Sequence, residues 1–233
     1  FLGILSGIGW AAGQIVTFYC FSLIGSSKVM PITTAFQLLA ASLWGVVALG
    51  NWPGVSAKIL GAFSLILIIF GASLTVWSEE KTPASTGLLR KVVIFLALGA
   101  IGYWAYSAAP QASNLSGQEA FLPQAIGMLL TALIYSIVIS FKEKSKMAIF
   151  ESVSYKHIIS GFFFAFAALT YLISAQPDMN GLATGFILSQ TSVVLATLTG
   201  IWFLNQRKTK KEMLLTIIGL VLIIIAASIT VTI

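Results

Sequence analysis

Charged side chains are scarce in this sequence. Of its 233 residues, 13 are Lys or Arg and 7 are Asp or Glu. The charged share is therefore 9%, whereas soluble domains carry about 25%. Hydrophobic residues reach 58%, and the mean hydropathy is +0.98. So little charge would not cover the surface of a soluble globule, so the composition excludes a cytosolic enzyme and a disordered chain. It indicates an all-α polytopic membrane protein embedded in a lipid bilayer.

Cysteine and histidine are almost absent. Cys20 is the one cysteine and His157 the one histidine. An intrachain disulfide is therefore excluded, and so is a metal site built from Cys and His ligands. The acidic residues form no cluster within an apolar run, which argues against a membrane-embedded enzyme. We expect no catalytic residues, no metal and no cofactor.

Long apolar runs dominate what remains, and each is long enough to cross a bilayer as a helix. Their apolar residues are continuous rather than alternating, which favours helices over barrel strands. Breaking the chain at its charges and turn residues predicts eight spans, at 2–24, 29–49, 55–77, 92–110, 121–141, 158–175, 182–204 and 213–233.

Basic residues sort to one side of these spans. The loops after the first, third, fifth and seventh spans hold 12 of the 13 Lys and Arg residues, and Lys58 is the exception. The positive-inside rule makes these loops cytoplasmic, including those that contain Lys28, Lys81, Lys144 and Lys210. The net charge of +6 is thus an orientation signal, and we expect no nucleic-acid partner.

The first three spans resemble the last three in order and spacing. S-G-I-G-W-A-A-G-Q from Ser6 corresponds to S-G-F-F-F-A-F-A-A from Ser160. Gln37 lies in the middle of the second span, as Gln190 does in the seventh. The third and eighth spans both end in an apolar stretch with S-x-T-V. Because the related spans lie five apart, they cross in opposite directions, which is an inverted-topology repeat.

Because related spans lie five apart, the repeat unit has five helices, and the first half of this chain contains only three of them. We therefore expect a ten-helix, 5+5 fold from which this chain lacks the first two helices. The predicted organisation is 1–78 as the last three helices of the first repeat, 79–91 as a cytoplasmic linker, and 92–233 as the complete second repeat.

Six motifs occur in order along the chain. They are S-G-I-G-W-A-A-G-Q at 6–14, S-K-V-M-P-I-T-T-A-F-Q-L at 27–38, G-Y-W-A-Y-S-A-A-P-Q at 102–111, L-P-Q-A-I-G-M at 122–128, I-S-A-Q-P at 173–177 and A-T-G-F-I-L-S-Q at 183–190. Together they resemble the bacterial glucose/ribose uptake porter family of the drug/metabolite transporter superfamily. The resemblance implies a sugar permease of the bacterial plasma membrane with two five-helix inverted repeats.

The chain departs from that family at three places. Val16 and Thr17 follow Ile15 where the family often has further amides, which bears on the sugar that is recognised. The second and seventh spans end in Gly50-Asn51 and Asn205-Gln206 rather than Gly-Glu. Because these positions lie at span ends, the change there concerns contacts at the interface.

Intramembrane glutamines are the candidate sugar ligands. A monosaccharide offers hydroxyls that donate and accept, which suits side-chain amides, and an apolar ring face that stacks on an aromatic side chain. Helical spacing places Trp10 with Gln14 on one face and Thr33 with Gln37 on another. The predicted binding residues are Gln37, Gln190, Gln14 and Gln124, with Trp10 and Tyr106 as stacking platforms. The alternative for each glutamine is an interhelical hydrogen bond.

Energy coupling is left open by the sequence. All seven Asp and Glu residues lie in loops or at span ends, whereas a proton-coupled porter usually has an intramembrane carboxylate or histidine. Facilitated diffusion and proton coupling are therefore both compatible with the sequence, with Glu119 and Asp178 as outer protonation candidates.

The oligomeric state is also open. The alternative function is export of amino acids, metabolites or drugs by a member of the same superfamily.

Overall fold

A computed structural model describes residues 1–79, 83–113, 115–144, 147–189, 192–206 and 208–231, with the backbone alone at 83–85, 148 and 230–231. The described chain is built from helices joined by short connections. They are α1 (Leu2–Ile24), α2 (Ser26–Val47), α3 (Val55–Val76), α4 (Pro83–Ala112), α5 (Gly117–Glu143), a 3₁₀ turn (Ala148–Phe150), α6 (Ser152–Lys156), α7 (Ile158–Ser174), α8 (Gly181–Ser189), α9 (Ser192–Trp202) and α10 (Lys210–Val231).

The all-helical membrane class is confirmed. Among the described residues, seven stretches are long and apolar enough to cross a bilayer, with Gly181–Trp202 counted as one stretch. The remaining apolar helix, α7, has 17 residues. At 1.5 Å per residue it is about 26 Å long, a little less than the ~30 Å hydrocarbon core. The count of eight spans therefore stays a prediction.

α4 begins earlier than the sequence predicts. It starts at Pro83 rather than at residue 92, so residues 83–91 of the predicted linker are helical. Proline suits the first turn of a helix, where its missing N–H is not needed. Arg90 and Lys91 are exposed, and such long side chains carry their charge to the membrane surface while the stem stays apolar.

α1 lies against α4 and α5 at backbone-to-backbone distance. A Cβ placed on Gly7 would lie 2.0 Å from the carbonyl oxygen of Gln124, and one on Gly127 would lie 2.1 Å from that of Ile4. Small residues let helices approach this closely, and such packing drives helix association in lipid. This crossing fixes the position of Trp10, one turn further along α1.

α3 and α10 form a second close pair. A Cβ on Gly71 would lie 2.6 Å from the Gly219 carbonyl oxygen. Lys208 precedes α10 in the chain. Its Nζ donates to the Thr75 carbonyl oxygen at 2.5 Å and to the Thr216 Oγ1 at 2.8 Å. The first donation satisfies a carbonyl in the last turn of α3 that has no intrahelical partner. Lys208 thus ties the two helices together at one end.

The partial burial of Lys208 makes this tie sensitive to pH. Desolvation, with the nearby positive charge of Lys28, lowers the pKa of Lys208 from 10.5 to about 8. Unfolded Lys208 binds more protons than native Lys208 between these values, so its contribution to stability rises with pH across pH 8–10.5.

We expect the difference in unfolding temperature between the wild type and Lys208→Met to change in favour of the wild type as the pH is raised from 7 to 10. Because Lys208 is partly solvent-screened, the gain should be about 2–4 °C, or ~1 kcal/mol. Thermal unfolding in detergent at matched pH values measures it, and the variant cancels the contributions of the other lysines. Parallel curves for the two proteins would contradict the expected pH dependence.

The connecting segments gather at two ends of the bundle. One end, called the basic end, has a pocket lined by residues of three connections, among them Ile24, Gly25, Ser27, Lys28, Ser78, Glu79, Gln206, Lys208, Thr209 and Glu212. The opposite end has another pocket, lined by Leu49, Asn51, Gln111, Leu115, Ser116, Glu119, Gln176, Pro177, Gly181 and Leu182. α2 lies between them and packs on α3, α4, α8 and α9. The centre of α2 is therefore surrounded by protein rather than by lipid.

Candidate functional site

A cavity lies beside the centre of α2. Its inner part has a volume of about 220 Å³, and a wider vestibule of about 880 Å³ continues from it toward His157. Trp10, Gln37, Tyr103, Phe164 and Ser192 line both parts. We call the two parts together the chamber. Its walls come from α1, α2, α4, α7, α8 and α9.

Gln37 supplies the amide nearest the middle of the chamber. Its side chain is 9% exposed, and its Nε2 donates to the Thr33 Oγ1 one turn earlier at 3.1 Å. This bond orients the amide along α2. Within the described part of the chain no hydrogen bond is made by its Oε1, which leaves an acceptor for a ligand hydroxyl.

Gln14 and Tyr103 form a polar group on the α1–α4 side of the vestibule. The Tyr103 hydroxyl donates to the Gln14 Oε1 at 2.7 Å and lies 3.0 Å from the Thr17 Oγ1. Thr17 in turn donates to the Gly13 carbonyl oxygen at 3.0 Å. The Gln14 Oε1 is therefore engaged by protein, whereas its Nε2 makes no hydrogen bond within the described part of the chain.

Aromatic rings line the inner chamber as a continuous series. Trp10 lies 4.4 Å from Phe164 and 6.5 Å from Tyr106, centroid to centroid. Tyr106 stacks on Tyr171 at 5.8 Å, and Tyr171 meets Phe186 edge-on at 5.6 Å. Such ring surfaces are suited to the apolar face of a sugar.

The same rings close the chamber toward the opposite end. Tyr106, Tyr171 and Phe186 are each at most 8% exposed. About one turn beyond them lie Gln111 and Leu182, which line a separate pocket of about 440 Å³ at that end. The chamber thus opens toward the basic end, and a layer of three aromatic side chains separates it from the opposite end.

Gln190, the predicted repeat mate of Gln37, lies outside the described residues. The described residues on either side of it, Ser189 and Ser192, line the inner chamber together with Gln37. They bring hydroxyl groups from α8 and α9 to the wall that faces α2.

Gln124 lies behind the chamber wall. It is 1% exposed, and its Nε2 donates to the Ser6 hydroxyl and to the Tyr106 carbonyl oxygen, the latter at 3.3 Å. Ser6 also donates to that carbonyl at 2.8 Å. This arrangement joins α5, α1 and α4 and holds the segment of α4 that carries the Tyr106 ring.

The described chamber lining carries no Asp, Glu, Lys or Arg. Its polar groups are amides, hydroxyls and the His157 ring at the rim, and the rest are aromatic or apolar side chains. A charged ligand would find no counter-charge there, and burying an unpaired charge is costly. The arrangement therefore suits a neutral molecule rich in hydroxyl groups.

Several chamber residues were not singled out from the sequence. Phe164 and Tyr171 on α7 and Ser192 on α9 all line the inner part. α7 carries so many aromatic residues that its periodicity does not separate lipid-facing from chamber-facing positions. The internal repeat could have identified Phe164, because Phe164 corresponds to Trp10 when the motifs at Ser6 and Ser160 are aligned.

Comparisons with known proteins agree on one family. The sequence model of a family described as "Sugar transport protein" matches residues 1–233. The chain is 69% identical over 233 residues to a protein of Enterococcus faecalis named "Putative ribose uptake protein RbsU", covering 100% of this chain and 79% of that protein. Proteins of the same name from Lactiplantibacillus plantarum and Staphylococcus epidermidis are 68% identical over 230 residues and 64% identical over 228 residues. These matches cover 99% and 98% of this chain, and 78% and 77% of the relatives.

Proposed function

The chain belongs to the sugar transport protein family, and from this premise we propose that it is a permease that carries a monosaccharide, ribose or glucose, into a bacterial cell by alternating access. It is a bacterial membrane transporter rather than an enzyme. The observation that carries the proposal is the chamber lining, with amides, hydroxyls and stacked rings and no charged side chain among its described residues.

The proposed site places the sugar between α2 and the α8–α9 pair. Gln37 and Gln190 hold hydroxyls from the two sides, and Gln14 offers a further donor. Trp10 and Tyr106 provide the stacking surface, and Gln124 acts through the Tyr106 segment that it supports. Side-chain amides bond hydroxyls that donate and accept at once.

Alternating access is proposed to follow from the inverted relation of the two halves, 1–78 and 92–233, which lets either end of the site open in turn. Each predicted repeat mate meets its counterpart: Trp10 of α1 meets Phe164 of α7, α2 packs on α8 and α9, and α3 packs on α10. Pairing of related elements in this way is expected where a two-fold axis in the membrane plane passes between them, and it supports the proposal. The ten-helix arrangement with eight spans in this chain is part of the proposal.

The basic end is proposed to face the cytoplasm, because strict alternation of the predicted spans assigns 12 of the 13 basic residues to loops on that side. Lys28, Lys81, Lys144 and Lys210 are then cytoplasmic, and the structure is open to the inside. Protons are a second candidate partner, with Glu119 and Asp178 as the candidate protonation sites at the outer end.

Uptake by proteoliposomes tests the proposal. We expect saturable uptake of labelled ribose or glucose, about 10-fold or more above protein-free liposomes, with competition by the unlabelled sugar. Amino acids and cationic drugs should compete weakly because the chamber has no counter-charge for them.

An imposed pH gradient that accelerates uptake would establish proton coupling, and an uptake rate that does not depend on the gradient would establish facilitated diffusion. Uptake of neither sugar, with transport of an amino acid or a drug instead, would favour the exporter alternative.

A further inference from the structure

Two amide side chains connect the central helices at opposite ends. Asn51 follows α2 at the opposite end, and its Oδ1 accepts a hydrogen bond from the Ala183 backbone N–H in the first turn of α8 at 3.1 Å. Backbone N–H groups in a first helical turn have no intrahelical partner and need an acceptor from elsewhere. The end of α2 therefore caps the start of α8.

The basic end has the same arrangement with the helices exchanged. Gln206 follows α9, and its Oε1 accepts from the Ser27 backbone N–H in the first turn of α2 at 2.7 Å. Its Nε2 donates to the Ser26 hydroxyl at 3.0 Å. The end of α9 therefore caps the start of α2, and the two contacts are reciprocal.

A glycine brings the backbones together beside each cap. A Cβ on Gly45 would lie 2.8 Å from the Asn51 Oδ1 and 3.2 Å from the Ala183 Cβ. A Cβ on Gly200 would lie 2.7 Å from the Ser26 Oγ and 3.1 Å from the Gln206 Oε1. Each cap is thus part of a tightly packed helix crossing.

Both caps are formed while the chamber is open at one end only. A contact that acted as a gate would be formed at the closed end and broken at the open end. The Asn51 cap lies at the closed end and the Gln206 cap at the open end, yet both hydrogen bonds are present. The contacts therefore do not follow the opening of the chamber.

We propose that Asn51 and Gln206 are positioning residues that keep α2 and the α8–α9 pair docked as one unit throughout the transport cycle. Access then changes by movement of the other walls, which carry Trp10, Tyr106 and Tyr171. The fixed unit holds Gln37 at a constant distance from the α8–α9 wall. This inference rests on the proposed function, because it requires that the chamber alternates between its two ends.

Disulfides across the two crossings test whether they stay closed. In a Cys20→Ala background, Gly45→Cys is combined with Ala183→Cys, and Ser26→Cys with Gly200→Cys. The 3.2 Å between the Gly45 and Ala183 Cβ positions needs only a small adjustment to reach the ~3.5–4.5 Å that a disulfide spans. Ribose uptake is measured before and after oxidation, and single-cysteine variants serve as controls.

Permanently docked crossings and gating crossings predict opposite results. If the crossings stay docked, oxidised and reduced proteins transport within about twofold of each other at both ends. If either crossing is a gate, its disulfide should abolish uptake and a reductant should restore it, which would overturn the proposal. Wild-type protein that takes up no sugar would instead refute the proposed function, so the two failures are distinguishable.

If the reduced double-cysteine proteins do not transport, substitution of Asn51 and Gln206 tests their positioning role instead. Asn51→Leu removes the acceptor for Ala183, and we expect about a fivefold rise in the KM for ribose because the chamber walls lose their alignment. Asn51→Asp keeps an acceptor at a helix start, where negative charge is favourable, and should stay within about twofold of the wild type. Gln206→Leu and Gln206→Glu should behave in the same way. Equal KM values for the leucine and carboxylate variants would contradict the positioning role.

Discussion

Replacing Gln37 by alanine is expected to lower ribose uptake about 100-fold, measured as Vmax/KM in proteoliposomes. The amide is 9% exposed and oriented by Thr33, and its acceptor atom has no bond within the described chain. Loss of two hydrogen bonds to sugar hydroxyls at about 1–1.5 kcal/mol each corresponds to a factor of roughly 30–150.

Gln118→Ala is the matched control for this substitution. Gln118 is an exposed amide in the first turn of α5, away from the chamber, and its removal should leave uptake unchanged. Thermal unfolding of both variants separates loss of function from loss of fold. Uptake by stable Gln37→Ala protein, or by the double variant Gln37→Ala/Gln190→Ala, at the wild-type level would refute the proposed site.

Replacing Gly7 by alanine is expected to lower the free energy of unfolding by about 3 kcal/mol, or about 10 °C in Tm. The added Cβ would lie 2.0 Å from the Gln124 carbonyl oxygen, which is backbone and does not rotate away. α1 and α5 must therefore separate, and the packing between them is lost along the crossing. Gly127→Ala, 2.1 Å from the Ile4 carbonyl oxygen, should have a similar effect.

Gly161→Ala is the control for this prediction. A Cβ on Gly161 meets nothing within 4 Å, and alanine is the better helix former, so the variant should match the wild type or gain up to about 1 kcal/mol. The double variant Gly7→Ala/Gly127→Ala should cost less than the sum of the single changes, since both open the same crossing. A Gly7→Ala protein as stable as Gly161→Ala would contradict the close approach of α1 and α5.

The membrane class and most of the helix positions were predictable because lipid imposes them. A spanning segment must be apolar and must satisfy its own backbone, so scarcity of charge and length of run are sufficient signals. The boundary at Pro83 was not predictable from hydropathy, because the added turns of α4 carry exposed basic residues and resemble a loop. Residues of three of the four basic connections, Lys28, Glu79 and Lys208 among them, line one pocket, and the side of the membrane on which the basic loops lie stays a prediction.

The candidate site was predictable in part. Trp10, Gln37 and Tyr106 line one cavity, consistent with their helical stripes. Gln124 shows why the rest was not: an amide within lipid needs a partner, and the sequence does not distinguish a ligand from a neighbouring helix. The roles of all six predicted residues, including Gln190 outside the described chain, stay predictions.

The contacts of Asn51 and Gln206 illustrate the same limit. Their position at span ends indicates contacts at an interface, but the partner N–H groups belong to residues more than a hundred positions away. Only the packing of α2 against α8 and α9 brings them together. Long-range pairing of this kind has no local sequence signal.

The central claim is that the sugar occupies the chamber between α2 and the α8–α9 pair, and alkylation of a cysteine at Ser192 tests it most directly. Ser192 is exposed and lines both parts of the chamber. In a Cys20→Ala background, saturating ribose should slow the reaction of Ser192→Cys with a thiol reagent about 10-fold or more, half-maximally near the KM for uptake. Exposed Ser56→Cys, at the opposite end, should react at the same rate with and without the sugar. An alkylation rate at Ser192→Cys that saturating ribose leaves unchanged would contradict the account.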